Sequence, residues 1–132
     1  DQIDLVVTEI SGYVPNNVQQ NKVKGDSFGQ INLLADRETT LEFCFEKPKN
    51  QGGEKVVIPS FGFVFHDFDS GDCKERLTVK DFTSYETSED LTVGGPEGGP
   101  VPSELKIITR DDNSTSFLST TRGIGDDNAL GA

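Results

Sequence analysis

Four carboxylates lie close together in residues 66–76, and they are the side chains of this chain best suited to hold a ligand. Asp67 and Asp69 are two positions apart at the end of an apolar stretch, so both point to the same side of an extended chain. A glycine then lets the chain turn, and Asp72 and Glu75 return toward the first pair. Calcium takes about six to eight oxygen ligands and tolerates irregular loops. We therefore predict a calcium site here, with a solvated acidic turn as the alternative.

A second acidic turn near the end of the sequence contains Asp126, Asp127 and Asn128. Their oxygen atoms add ligands to the predicted calcium site if the fold brings the two turns together, and otherwise belong to an exposed loop. Residues 111–113 form a third acidic turn, which we interpret as a hairpin tip. This turn contains Asn113, the acceptor of an Asn-Ser-Thr sequon, so Asn113 is predicted to be exposed and N-glycosylated.

Cys44 and Cys73 are the two cysteines of the sequence, and their spacing fits no zinc-binding pattern. We predict a disulfide between them, because Cys44 is on the outward face of its strand and Cys73 follows the neighbouring apolar segment; two reduced thiols are the alternative. The sequence starts at Asp1 and has no Met, as removal of a signal peptide would leave it. With the cysteine pair and the sequon, this predicts a secreted protein, extracellular or on the cell surface.

Patterns that would indicate catalysis are weak. His66 is the single histidine, and the sequence contains neither a Gly-x-Ser-x-Gly nucleophile elbow nor a phosphate-binding loop. Paired carboxylates can hydrolyse glycosides. However, the aromatic side chains that usually stack on sugars are restricted to Tyr13 and Tyr85, since the chain has no Trp. We therefore predict that the chain is not an enzyme.

The composition limits the classes of partner. The chain has 132 residues, with 12 basic and 23 acidic side chains and a net charge of −11. A phosphate backbone requires a basic patch, so nucleic acid is excluded as the predicted partner. No apolar run is long enough to span a membrane. Cations, other protein chains and glycans remain as partners.

Alternation of apolar and polar residues predicts about eight short strands and almost no helix. Residues 39–46 alternate cleanly, whereas residues 56–68 are apolar on both faces and are predicted to form a central strand. The other predicted strands cover residues 3–10, 28–34, 77–82, 85–93, 105–110 and 116–120. Residues 94–102 are rich in glycine and proline and are predicted to form a loop or crossover.

This pattern predicts an all-β fold in a single domain over residues 1–132. We expect an antiparallel β-sandwich of jelly-roll type, with a closed barrel as the alternative. Alternating phenylalanines on two strands would form its inner layer, and they are Phe43, Phe45, Phe61, Phe63 and Phe65.

Three stretches of sequence together resemble a family of secreted modules. They are Phe-Val-Phe-His-Asp-Phe-Asp at residues 63–69, Glu-Arg-Leu-Thr-Val-Lys-Asp-Phe at residues 75–82 followed by Tyr85, and residues 117–128. The chain is similar over residues 28–128 to calcium-dependent, jelly-roll-like β-sandwich modules of algal, diatom and oomycete extracellular proteins, which resemble bacterial surface-anchored domains. The family pattern continues into further strands after its Asp-Asn motif, whereas this sequence ends at Ala132.

The resemblance implies a non-enzymatic structural or interaction module, stabilised by calcium, in a wall, filament or surface assembly. Other chains or neighbouring domains are then the expected partners, and a strand from one of them would pair with an open sheet edge. A carbohydrate-binding module is the alternative function, and it requires Tyr13 or Tyr85 to be exposed in a shallow cleft. A small lumenal subunit of a membrane complex is a further alternative.

Overall fold

The computed structural model describes residues 2–24, 28–66, 68, 70, 73–88, 92–94 and 100–123. Within these residues the chain forms short strands and two single turns of 3₁₀ helix, Val18–Gln20 and Lys49–Gln51. The strands are β1 (Asp4–Glu9), β2 (Lys22–Lys24), β3 (Phe28–Gln30), β4 (Leu41–Glu46), β5 (Arg76–Val79), β6 (Thr92–Gly94), β7 (Pro100–Pro102), β8 (Leu105–Thr109) and β9 (Thr115–Ser119). The predicted all-β class is confirmed.

The described strands form small antiparallel sheets. β1 pairs with β4, β2 with β3, and β6 with β7, while β9 lies between β5 and β8 in a sheet of three strands. The chain divides into two compact units, whose described residues are 2–64 and 65–123. Among the described residues these sheets are small and open, so the predicted sandwich is not shown.

The two strands β1 and β4 pair with each other in the first unit, and the bounds of both strands lie close to the predicted ones. Leu5 is paired with Phe45 and Val7 with Phe43. Because side chains alternate along a strand, these four residues share one face of the two-stranded sheet. Within the described part of the chain, β1 pairs with β4 alone, which leaves its other edge open.

Residues 56–66, all of them described, contain no strand, so the predicted central strand over residues 56–68 is wrong in this range. The start of the segment is joined to β4 through a bridge between Lys55 and Glu46 and a 2.7 Å hydrogen bond from the Val56 N–H to the Phe45 carbonyl. Pro59 follows closely and has no N–H with which to continue a ladder. An apolar run alone therefore did not establish strand pairing here.

Two other predicted segments also differ from the structure. The predicted strand over residues 85–93 contains residues 85–88, which form no strand, and residues 92–93, which belong to β6; residues 89–91 lie outside the described part of the chain. The proline-rich segment predicted as a loop contains β7, which pairs with β6 in the register Val93 to Val101. Prolines occur here at both ends of a three-residue strand, where missing N–H groups interrupt few ladder bonds.

An aromatic cluster lies on the β1–β4 sheet, and we define it as Phe43, Phe45, Phe61 and Phe63. Its rings meet edge to face, with centroid distances of 5.2 Å for Phe43–Phe63, 4.9 Å for Phe45–Phe61 and 5.3 Å for Phe61–Phe63. The cluster contains four of the five phenylalanines predicted for the inner layer of a sandwich, but it is only partly covered: Phe61 is 58% exposed and Phe63 40%. Phe65, in the second unit, is 51% exposed.

Among the described residues of the second unit, the buried side chains carry hydroxyl groups. Ser116 and Ser119 are 1% and 0% exposed, since both lie on β9, the middle strand of its sheet. Ser116 Oγ lies 2.7 Å from Thr78 Oγ1 and accepts a 2.5 Å hydrogen bond from Arg110 Nη1. Buried hydroxyls are tolerated when they are hydrogen-bonded, and these partners meet that requirement.

Candidate functional site

The predicted calcium ligands fall mostly outside the described residues. Glu75 is described and exposed. The remaining predicted ligands lie outside the described part of the chain, and they are Asp67, Asp69, Asp72, Asp126, Asp127 and Asn128. Among the described residues, no group of three or more histidine, cysteine, aspartate and glutamate side chains is arranged to hold a metal ion.

The described residues beside the two acidic turns are joined by hydrogen bonds. The Ser70 N–H donates to the Thr121 carbonyl at 2.9 Å, and the Gly123 N–H donates to the Ser70 carbonyl at 3.1 Å. Ser70 also forms a parallel bridge with Arg122. In the sequence, Ser70 lies between Asp69 and Asp72, and Gly123 precedes the second acidic turn. The stems of the two turns are therefore adjacent.

Buried hydroxyls fix this junction to the three-stranded sheet. Ser70, 7% exposed, has its Oγ 2.8 Å from the Oγ of Ser119. The Ser119 hydroxyl also accepts a 2.8 Å hydrogen bond from the Glu75 N–H. We call Ser70, Ser119 and the hydrogen-bonded residues 121–123 the serine stem. Ser70, Ser119 and Gly123 are buried in it, whereas Arg122 is exposed.

A groove in the second unit surrounds Tyr85, which is 48% exposed. The Tyr85 ring packs edge to face against Phe117 at a centroid distance of 5.0 Å and lies 6.1 Å from Phe82. The groove has a volume of about 520 Å³, and its lining residues are Asp81, Phe82, Thr83, Ser84, Tyr85, Thr109, Asn113 and Thr115. It combines two aromatic side chains, Phe82 and Tyr85, with hydroxyl, amide and carboxylate groups, and it is open to solvent.

The other tyrosine does not provide such a surface. Tyr13 is half-buried, and its hydroxyl contacts Asn21 Oδ1 at 2.8 Å and the Asn32 carbonyl oxygen. The Asn21 side chain also accepts a 2.7 Å hydrogen bond from the Asn32 N–H. Tyr13 therefore holds two loops of the first unit together, and Tyr85 is the tyrosine that has the exposure expected of a sugar-stacking residue.

Asn113 lies in the hairpin turn between β8 and β9 and is exposed, as the sequence predicts. Its φ of 61° is in the left-handed region, which asparagine adopts more readily than most residues. Asp112 closes the turn: its Oδ1 accepts hydrogen bonds from the Ser114 hydroxyl at 2.6 Å and the Ser114 N–H at 3.0 Å. The turn thus presents Asn113 at the groove in a fixed backbone conformation.

The Ser114 hydroxyl, and next the Ser114 N–H, hold the pKa of Asp112 below its usual range. A carboxyl whose folded pKa is lowered contributes stability above its unfolded pKa and loses it as the pH falls through the folded pKa. We therefore expect the turn to be intact at neutral pH and to loosen only in acid, below about pH 3.9. An NMR titration of the Ser114 amide should have its midpoint below that value, and Asp112→Asn should remove the transition. A midpoint at or above pH 3.9 would contradict this assignment.

The predicted disulfide is not seen. Cys44 and Cys73 both lie in the described part of the chain, and no bond joins them. The Cys44 thiol instead donates to Glu42 Oε2 at 3.4 Å, on the face of β4 opposite to the aromatic cluster. Lys55 completes this group: its ammonium lies 3.5 Å from Glu42, and hydrogen bonding and attraction to Cys44, then to Glu42, raise the pKa of Lys55.

Sequence reasoning did not identify the buried hydroxyls of Ser70, Ser116 and Ser119, because a serine in a turn or a strand resembles an ordinary solvent-facing residue. It did single out Tyr85, as one of the two tyrosines available to stack on a sugar. No family model matches the chain, and comparisons with curated proteins and with solved structures find no match either. No helix among the described residues is long and apolar enough to cross a membrane.

Proposed function

We propose that the chain is a non-enzymatic module of an extracellular or cell-surface assembly, whose partners are other protein chains or neighbouring domains. The observation that carries this proposal is the aromatic cluster of the β1–β4 sheet. Its rings are ordered against one another, yet Phe61 remains 58% and Phe43 37% exposed. Leu5 and Val7 extend the same face and are 46% and 43% exposed. A contiguous apolar face of this kind favours association, because contact removes it from water.

The open edge of β1 supports the same proposal. Unpaired N–H and C=O groups along a strand can pair with a strand from another chain, and repeated addition of this kind builds a filament. The apolar face and the open edge belong to one small sheet, so an incoming strand would satisfy the backbone groups of β1 and place its own apolar side chains beside Leu5 and Val7. A sandwich of jelly-roll type, the finer fold that we propose, also requires a second sheet packed on the aromatic cluster.

Calcium is the proposed stabilising ion. The serine stem supports this, because it joins the segments that lead into both acidic turns, and the residues that follow are carboxylates and an amide. Hard oxygen donors of this type suit calcium. A bound cation would also offset part of the charge of −11 that opposes association of identical chains.

Sedimentation of the chain over a range of concentrations tests the proposed association. We expect reversible self-association in calcium-containing buffer at physiological ionic strength. Phe61→Ser should weaken it at least about tenfold, since exposed aromatic residues are the side chains that most often dominate interfaces. Val57→Ser is the matched control: Val57 is 93% exposed and lies outside the aromatic cluster, so its replacement should leave association unchanged.

Two results would contradict self-association through the aromatic cluster. One is a monomer at every concentration, with and without calcium. The other is an equal effect of Phe61→Ser and Val57→Ser, which would indicate non-specific adhesion of apolar side chains rather than a defined face. Circular dichroism of each variant establishes that the β-structure is retained.

A carbohydrate-binding module is the second candidate function, and the groove at Tyr85 favours it. A half-exposed tyrosine ring beside hydroxyl groups and the Asp81 carboxylate offers both a stacking surface and hydrogen-bond partners to a neutral sugar. This function and the association of the β1–β4 sheet involve different units of the chain.

A further inference from the structure

The sequon asparagine, Asn113, lines the same groove as Tyr85. Neither a sequon nor an exposed tyrosine requires the other to be nearby. Asn113 and Tyr85 are far apart in the sequence, and the hairpin of β8 and β9 brings them to one concavity. A sugar attached to Asn113 therefore begins at the wall of a groove that already has the chemistry to receive it. The first sugar of an N-linked glycan carries polar hydroxyl and amide groups around a ring with an apolar face.

We propose that the groove at Tyr85 binds the first sugar of the chain's own N-linked glycan at Asn113, so that the glycan stabilises the second unit. This inference rests on the proposed secretory route, because N-glycosylation occurs on chains that enter it. The Tyr85 ring would receive the apolar face of the sugar, while Thr83, Ser84 and Asp81 face its hydroxyls.

The geometry of the turn favours the attached sugar over a free one. The left-handed backbone at Asn113 and the hydrogen bonds between Asp112 and Ser114 fix the direction in which the glycan leaves the chain. Tethering also gives the sugar a high effective concentration at the groove, which a free glycan in solution does not have. The tyrosine itself is held by Phe117 and Phe82, so binding orders little further protein.

The test begins with expression in a eukaryotic secretory host and an intact-mass measurement of occupancy at Asn113. The glycosylated chain is then compared with the same chain treated with peptide N-glycosidase, which converts Asn113 to aspartate. Asn113→Asp made in bacteria is the matched control for that product, and aspartate also tolerates a left-handed backbone. We expect the glycosylated chain to melt about 3 °C or more above both.

Variants of Tyr85 separate a specific contact from a general effect of the glycan. Tyr85→Phe retains the ring and should retain the glycan-dependent difference in melting temperature. Tyr85→Leu keeps an apolar contact with Phe117 but has no ring, and it should remove the difference. Because each variant is compared with its own deglycosylated form, a change in basal stability cancels. NMR should show sugar protons of the wild-type glycoprotein shifted by the Tyr85 ring current.

A titration with free N-acetylglucosamine distinguishes the two sources of the sugar. We expect weak saturable binding to Asn113→Asp and none to the glycosylated chain. Secreted material with an unmodified Asn113, a melting temperature unchanged by deglycosylation, or a difference that survives Tyr85→Leu would each overturn the inference. The sedimentation of Phe61→Ser is independent of all three results. Failure of the inference about the glycan can therefore be distinguished from failure of the proposed association.

Discussion

We expect calcium to raise the melting temperature of the chain by about 10 °C, and EDTA to reverse the change. An ion that binds the folded state alone at 100 times its dissociation constant adds about 2.7 kcal/mol to the free energy of unfolding. For a chain of this length, each kcal/mol corresponds to roughly 3–5 °C. The physical reason is local: the serine stem joins two segments that lead into carboxylate-rich turns. A cation bound between these turns would offset the repulsion among their carboxylates.

Single substitutions test whether the calcium effect belongs to the acidic turns. Asp69→Ala should abolish the calcium-dependent part of the melting temperature, and Asp126→Ala should reduce it if both turns contribute ligands. Glu86→Ala is the control, because Glu86 is exposed and lies outside both turns yet removes the same charge. Calcium titrations monitored by thermal melting, at constant ionic strength, give the comparison.

A melting temperature that does not respond to calcium would contradict the predicted site. An equal loss of the calcium-dependent rise in melting temperature in Glu86→Ala and Asp69→Ala would also contradict the predicted site. Calcium would then act by screening the net charge of −11 rather than by coordination. Magnesium at the same concentration is a further control, since it requires a tighter octahedral site than an irregular loop provides.

Those parts of the fold that follow from local patterns could be predicted. Alternation identified β4, and the polar turn between two apolar segments identified the hairpin of β8 and β9 with Asn113 at its tip. The segment over residues 56–66 could not be predicted in the same way. Its residues are apolar on both faces, but a strand also needs backbone N–H groups that pair with a neighbouring strand. Pro59 has no N–H group.

The candidate sites were predictable to different degrees. Tyr85 could be identified because exposed tyrosine is a known sugar-stacking residue, whereas its proximity to Asn113 depends on the pairing of distant segments. The serine stem had no signal in the sequence. Whether a serine hydroxyl faces water or another hydroxyl is decided by strand order, and β9 becomes the middle strand only because β5, distant in sequence, pairs with it.

Replacing Ser119 with alanine should destabilise the second unit by about 1–3 kcal/mol, because a buried hydrogen-bonding group that loses its partner retains its full desolvation penalty. Ser119 is fully buried, and its hydroxyl is the partner of both the Ser70 Oγ and the Glu75 N–H. Ser88→Ala is the control, since Ser88 is exposed, lies outside the groove at Tyr85 and should change the free energy of unfolding by less than about 0.5 kcal/mol. Urea denaturation gives the values.

A double-mutant cycle shows whether the two hydroxyls act as a pair. Ser70→Ala with Ser119→Ala should cost less than the sum of the single substitutions, because the second removes the group that the first left unsatisfied. Additive effects would mean that the 2.8 Å contact between the hydroxyls contributes nothing to the free energy of unfolding.

The Ser119 variant also tests whether the serine stem contributes to calcium binding. If the serine stem holds the two acidic turns together, Ser119→Ala should shift the calcium titration to higher concentration, whereas Ser88→Ala should leave it unchanged.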